Sequence, residues 1–442
     1  MIQSFQKHIF KNASFLKDKK LLIAISGGLD SIVLTHVLND LEFSISLAHC
    51  NFKLRGKDSD LDEGFVQKLA GNLNIPFLVM QFETQSYANE NGISIQMAAR
   101  ELRYHWFDKL MQNNKFDYLL TAHHADDSLE TFLINFARGT GLDGLTGIPA
   151  INDKIVRPLL PFTRKEIENY ALENNLFWRE DKSNAETKYL RNKIRHDIIP
   201  VLKKLNPNFM NSFANTIENL QGSQQIINDR VDELRKEIIK KEEEVIQFNI
   251  HKIKQLSKPK AYLFEFLKEY GFSEWNDITS LLDAQSGKQI YSHTHRLLKD
   301  RSYLLLSKIT AISENEIFQI DESDSEFSNP DIQLNFKTSE EFTFDKSVNN
   351  IVYIDKALLK FPLVVRKWRK GDYFYPIGMQ GRKKLSKFYT DEKLSLLEKE
   401  KTWLLCTAKN EIIWIIDKRL DNRFKITNNT SEILKIDYEK TH

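Results

Sequence analysis

Short apolar runs and longer amphipathic stretches alternate along the first part of the chain. KLLIAIS (20–26) is a near-continuous apolar run, as expected of a strand buried on both faces, and an amphipathic helix over 31–41 follows it. FSISLAHC (43–50) predicts a second strand, 59–74 a helix, PFLVMQF (76–82) a third strand and 93–112 a long helix. YLLTAHH (118–124) and KIVRPLL (154–160) predict a fourth and a fifth strand, each followed by a helix, over 126–137 and 163–175. Strands separated by helices are βαβ units, so the pattern predicts an α/β fold with a doubly wound parallel sheet covered on both faces. Ligands of such sheets sit at the carboxyl ends of the strands. Three polar segments follow strands at that edge, 26–31, 49–56 and 123–130, and are expected to converge.

The period changes further on. Residues 187–244 read as charged and helical, ending in ELRKEIIKKEEEV, and suggest a connector. A small mixed unit follows, with a helix in KAYLFEFLKEYG (260–271) and strands within 289–308. The acidic stretch 312–332 reads as a linker, and strand-like alternation then resumes to the end, predicting a small α+β C-terminal domain. The expected division is 1–215, 216–311 (helical connector and middle α+β domain) and 333–442.

Composition narrows the class. Hydrophobic residues make up 41% and charged residues 28% of 442, as in a globular chain of more than one domain. No apolar run is long enough to predict a membrane span, and the N-terminal MIQSFQKHIFKNASF has no leader-like apolar segment. Cys50 and Cys406 are the only cysteines and lie far apart, which predicts a reducing, cytoplasmic setting and excludes a CxxC redox pair. The net charge of +2 is small, but RKWRKGD (366–372) and GRKKLSKF (381–388) concentrate positive charge near the C-terminus. Each reads either as a solvated face or as an RNA-facing surface interleaved with Trp368, Tyr373, Phe374 and Tyr375.

AISGGLDSIVL (24–34) carries the chemistry. Two adjacent glycines after a strand allow a tight turn whose backbone N–H groups face one way, and a helix N-terminus behind it favours anions. Ser26, Gly27, Gly28, Leu29, Asp30 and Ser31 therefore form a candidate phosphate-binding loop, one without the lysine of a P-loop. A carboxylate beside a phosphate is repulsive unless a cation lies between them, so Asp30 suggests bridging by Mg²⁺. The plainer reading is a turn in which Asp30 caps the helix.

SGGLDS resembles the loop of the N-type ATP pyrophosphatases, which cleave ATP between its α- and β-phosphates and transfer AMP to an acceptor. Further motifs resemble the tRNA(Ile)-lysidine synthases within that superfamily: AHCNFKLRGKDSDLDE (48–63), with Phe52 where a second histidine is common, AARELRYHWF (98–107), TAHHADDSLET (121–131), FARGTGLDGLTGI (136–148) and WREDKSNAETKYLRNKIRHDIIPVL (178–202). RKWRKGDYFYPIG and KKLSKFYTD resemble that family's C-terminal domain. The resemblance implies a catalytic domain over 1–215, a substrate-binding middle domain and a tRNA-binding domain over 333–442. It implies ATP as substrate, Mg²⁺ as cofactor, and free L-lysine and a tRNA(Ile) with a CAU anticodon as partners, with no membrane; a homodimer is compatible with it. The wobble cytidine would be adenylated at its C2 oxygen and lysine would then displace AMP.

On this reading Asp30 and Asp126 hold the metal, and Glu130, four residues from Asp126 on one helix face, supports it or orients the amine. Helix capping is the plain alternative for these carboxylates. Arg100 is expected to neutralise the α-phosphate and the leaving pyrophosphate, or else to lie on a surface helix face. Arg191, Arg195, Lys383, Lys384 and Lys387 are expected to contact tRNA, with a solvated helix face the plain alternative for Arg191 and Arg195. The glycines of 136–148 read either as an irregular connector or as backbone lying against a substrate. Two rivals stay open: a tRNA thiolation enzyme, which the scarcity of cysteine disfavours, and a non-catalytic tRNA-binding protein with a vestigial nucleotide fold.

Overall fold

The structure is a computed structural model and describes residues 1–179, 190–242, 244–309, 316–339, 350–379 and 381–441. It divides into two compact units, Met1–Arg230 and Val231–His442.

In the first unit, α1 (Ile2–Asn12) precedes β1 (Leu21–Ala24), α2 (Leu29–Asp40), β2 (Ile45–Asn51), α3 (Lys57–Asn72), β3 (Phe77–Gln81), α4 (Thr84–Asn91), α5 (Ile95–Asn113), β4 (Tyr118–Leu120) and α6 (Ala125–Arg138). Then come α7 (Leu142–Leu145), β5 (Ile151–Asn152), β6 (Ile155–Val156), α8 (Arg164–Glu173), α9 (Leu190–Lys193), a π-helical turn (Ile194–Ile198), α10 (Ile199–Leu205) and α11 (Phe209–Ile238), whose last residues, from Val231, belong to the second unit. The strand order is β3-β2-β1-β4-β6-β5. β3, β2, β1, β4 and β6 pair in parallel, and β5 adds antiparallel to β6. The predicted fifth strand is thus only two residues long, and a short hairpin closes the parallel sheet.

Alternation along β1 sends its side chains to both layers. Leu21 and Ile23 enter a core with Phe5, Ile32 and Ile167, while Leu22 joins Ala48, Trp106, Phe107 and Met111 on the other face. The chain winds outward through β1, β2 and β3, then reverses to β4. The crevice between the β1 and β4 ends is therefore the topological switch point, where ligands of open α/β sheets bind.

In the second unit, β7 (Ile239–Glu242), β8 (Val245–Asn249), β9 (Gln289–Tyr291), β10 (His295–Asp300) and β11 (Tyr303–Lys308) form an antiparallel sheet in the order β7-β8-β11-β10-β9. It is packed with α12 (Ile250–Lys254), α13 (Pro259–Leu267) and α14 (Trp275–Ser280). The helix expected to run through 233–245 stops at Ile238, and the lysine- and glutamate-rich stretch starts a strand. Its place in the sheet explains this: β7 is an edge strand whose Lys240, Lys241 and Glu242 are exposed, and edge strands accept charge readily.

The remainder contains β12 (Ile317–Ile320), β13 (Glu326–Ser328), β14 (Ile332–Ser339), β15 (Ile351–Asp355), β16 (Leu363–Lys367), β17 (Tyr373–Phe374), β18 (Lys383–Lys384), α15 (Leu385–Asp391), α16 (Leu396–Lys401), β19 (Trp403–Cys406), β20 (Ile412–Ile415), β21 (Arg419–Leu420) and β22 (Ile433–Lys440). Sheets β12-β16-β19-β20-β21 and β13-β14-β22-β15 enclose a core around Val365, Leu405 and Trp414 on one side and Leu334, Ile354 and Ile436 on the other. Leu404 and Cys406 point the opposite way, onto Leu385, Phe388 and Tyr389 of α15. The stretch 312–332 is no linker in its described part: Ile320 is buried, and β12 and β13 pair with β16 and β14. Its acidic residues fall on exposed positions, which hid the strands from a reading by composition.

Candidate functional site

The β1–α2 loop supplies one wall. Gly27 has φ +89°, a conformation that L side chains rarely adopt, and its carbonyl accepts from the Arg179 backbone N–H at 3.0 Å. Gly28 is the N-cap of α2. Both serine hydroxyls brace the turn: Ser31 Oγ donates to the Gly28 carbonyl (2.9 Å) and accepts from the Ser26 N–H (3.2 Å), and Ser26 Oγ accepts from the Gly28 N–H (3.3 Å). Asp30 lies in the first turn of α2 rather than at its cap, and Arg164 Nη1 donates to Asp30 Oδ1.

The facing wall comes from β4 and α6. Asp127 is the capping residue, accepting from the His124 backbone N–H at 3.0 Å. That leaves Asp126 for other work. It is buried, and it accepts from the Arg164 backbone N–H (2.8 Å) and from Lys203 Nζ (2.6 Å). Burial alone would raise its pKa, but these two partners outweigh burial and hold the carboxyl below its ordinary value. Arg164 thus ties the two walls together, its side chain on Asp30 and its backbone on Asp126. His124 is buried between them, with Nε2 3.7 Å from Asp30 and 3.5 Å from Asp127. Burial pushes its neighbour His123 from 6.5 down to about 4, so that imidazole is neutral near pH 7.

Glu130 is 1% exposed and grips two guanidinium groups: Arg191 Nε at 2.7 Å and Arg195 through Nε at 2.5 Å and Nη2 at 3.1 Å. A carboxylate so deeply buried is stable only when paired in this way. Arg191 and Arg195, expected one turn apart on a helix, lie in α9 and in the π-helical turn behind it. Both face Glu130 and Asp127, with Arg195 lining the cavity.

These walls enclose a cavity of about 990 Å³, with the third polar segment represented by Arg55. Ser26, Gly28, Leu29 and Asp30 line it together with Asp126 and Glu130, so the three segments at the sheet edge do converge. Arg100 is not among the lining residues. It is exposed on α5, its guanidinium 4.9 Å over the Tyr104 ring. The cations that do line the cavity are Arg55, Arg164, Arg179, Arg195 and Lys203. Sequence reading gave no role to Arg164, Arg179 or Lys203. Arg164 and Lys203 lie outside the quoted motifs and Arg179 at the start of the one over 178–202, and all three reach the cavity through the packing of α8, α10 and the segment after α8.

Asp30 and Asp126 are hard oxygen donors, which suits Mg²⁺ held by one or two carboxylates together with phosphate oxygens and water. Among the described residues no group of three or more His, Cys, Asp or Glu side chains is arranged to hold a metal. The pair therefore fits an ion that arrives with a nucleotide and not an all-protein cage.

Two glycines of the glycine-rich segment have internal reasons. A Cβ on Gly147 would stand 2.4 Å from Ser128 Oγ, and one on Gly144 would stand 2.1 Å from Thr140 Oγ1. In the C-terminal region Lys383 bonds Asp391 at 2.7 Å and is mostly covered, while Lys384 and Lys387 are exposed. Arg366 is 2% exposed in a two-pronged pair with Asp372, so the basic cluster presents Arg369 and Lys370 but not Arg366. Phe374 is buried and Trp368 is partly buried, whereas Tyr373 is exposed, with the Arg382 guanidinium 5.1 Å over its ring. Burial raises both cysteine thiols to about 12, which leaves no thiolate near pH 7.

Residues 1–202 match a PP-loop domain, 241–309 a TilS substrate binding domain and 363–438 a TilS substrate C-terminal domain. The chain is 38% identical to a tRNA(Ile)-lysidine synthase of Parabacteroides distasonis over 99% of its own length and 100% of the relative's. The chain belongs to the tRNA(Ile)-lysidine synthase family. Members from Bacteroides thetaiotaomicron (40% identity, 97% of each chain) and Caldanaerobacter subterraneus subsp. tengcongensis (31% identity, 100% of this chain and 98% of that one) show that the likeness runs through all three matched segments. Membership accounts for an ATP-binding loop without a P-loop lysine.

Proposed function

We infer that this chain is an ATP-dependent ligase that forms a carbon–nitrogen bond between free lysine and C2 of the wobble cytidine in a tRNA(Ile) with a CAU anticodon. The observation that carries the reading is the meeting of the SGGLDS loop with Asp126, Asp127 and Glu130 in one cavity, in a chain that matches lysidine synthases from end to end. The C2 oxygen attacks the α-phosphorus and pyrophosphate leaves. The lysine amine, less a proton, then bonds to C2, and AMP departs with the oxygen. Adenylation turns a poor leaving oxygen into a phosphate ester.

The braced loop and the α2 N-terminus hold the phosphates. Asp30 and Asp126 would hold Mg²⁺, which when bound neutralises phosphate charge. Asp126 also suits the incoming amine, because it already accepts an alkylammonium, that of Lys203. The counter-charge expected from Arg100 falls to cations that line the cavity. Residues 1–215 form the catalytic part, 216–311 the connector and substrate-binding middle part, and 333–442 the tRNA-binding part, with Arg191, Arg195, Lys384 and Lys387 toward RNA. Among the described residues no helix is long and apolar enough to cross a membrane. Two copies per particle are compatible with this reading.

The test is mass analysis of tRNA(Ile) after incubation with ATP and isotopically labelled lysine. Label on cytidine, with one AMP formed per lysine, is the expected result, and Asp30→Asn should abolish both while the protein stays folded. Sulfur in the product, or no label, would overturn the reading.

A further inference from the structure

Asp62 has no part in the chemistry described so far, yet it is a buried carboxylate on the cavity wall. It lies on α3, one turn into the helix that follows β2. Arg55 Nη2 donates to Asp62 Oδ2 at 2.7 Å, and Arg179 Nε donates to Asp62 Oδ1. One carboxylate thus holds two guanidinium groups, one through each oxygen. Both arginines keep part of their surface open, 38% and 34% of the side chain, whereas the Asp62 side chain is 11% exposed. Arg179 is fixed a second time, because its backbone N–H bonds the carbonyl of Gly27 inside the phosphate loop. The clamp and the loop are therefore one rigid piece.

Both arginines line the cavity beside the loop and present planar forks that suit phosphate oxygens. The other cations of the cavity are bound to carboxylates of the reacting end: Arg164 to Asp30, Lys203 to Asp126 and Arg195 to Glu130. We propose that Arg55 and Arg179, aimed by Asp62, form the subsite for the β- and γ-phosphates of ATP and supply the charge that a P-loop would take from its lysine. Asp62 is a positioning residue in this scheme, and Arg55 and Arg179 touch the nucleotide. The proposal rests on the ligase reading for the identity of the nucleotide.

A binding experiment separates the two. The full chain is titrated calorimetrically, in Mg²⁺, with α,β-methylene-ATP and with AMP. Removal of one charge-assisted hydrogen bond should weaken the ATP analogue about tenfold or more. Arg55→Gln, Arg179→Gln and Asp62→Asn should each do so while AMP affinity stays within about twofold, and Asp62→Glu should recover part of the loss. AMP binding doubles as the check on folding, and the part-exposed Arg55 carries the test if Asp62→Asn does not fold. Equal losses for ATP analogue and AMP would make the cluster a mere brace of the loop and overturn the proposal. Unchanged affinity for both would overturn it as well. A chain that distinguishes the two nucleotides but never labels tRNA would sink the ligase reading and leave the clamp standing.

Discussion

Single side chains divide the C-terminal basic residues into two kinds. Lys383 is spent on Asp391, whose carboxyl it holds below the ordinary value, whereas Lys384 and Lys387 reach solvent beside Arg382. Replacing Lys384 and Lys387 by Ala should lower the slope of log affinity for tRNA against log salt by about two, one for each phosphate that no longer meets a lysine. Lys383→Ala should leave that slope unchanged and lower the melting temperature slightly. Filter binding over a range of salt concentrations checks both. The difference between the lysines could not be read from KKLSK, because it depends on which way the β18–α15 turn points each side chain. The same holds for Arg366, which composition puts on a basic surface and packing puts in the interior, opposite Asp372.

At the scale of elements, the first unit was almost fully legible. Its strands are continuous apolar runs separated by amphipathic helices, and local periodicity is strongest where both faces of a sheet are covered. The candidate loop and the Asp126–Glu130 turn were legible for the same reason: they lie at strand ends that the pattern already located. What escaped were groups delivered by tertiary packing, namely Arg164, Arg179 and Lys203, together with edge strands such as β5 and β7, whose residues are largely exposed. Within the glycine-rich segment, Gly147 has a packing reason that sequence could not show: its backbone lies against Ser128 of α6. With φ +76° and Ser128 Oγ at 2.4 Å from the site of a Cβ, Gly147→Ala should destabilise the first unit by about 1–3 kcal/mol. A thermal melt of the variant measures it, and Gly139→Ala, where φ is also positive but the space is open, separates strain from crowding.

For the molecule as a whole, the matched segments 241–309 and 363–438 do not behave as separate beads. Leu298 and Leu305 of the middle sheet pack with Leu397 of α16, and Arg296 makes a two-pronged pair with Glu400 at 3.0 and 2.8 Å. Arg296→Ala leaves Glu400 without its partner and should cost about 1–3 kcal/mol, seen as a lowered or split calorimetric transition with nucleotide binding unaltered. This joint also bears on how the protein can be cut. A fragment that ends between the two segments would carry Leu298 and Leu305 bare into water, and its complement would carry Leu397. Each piece would gain a sticky face that the intact chain never shows, so expression trials with either alone should give aggregates, while a fragment that keeps both should remain dispersed.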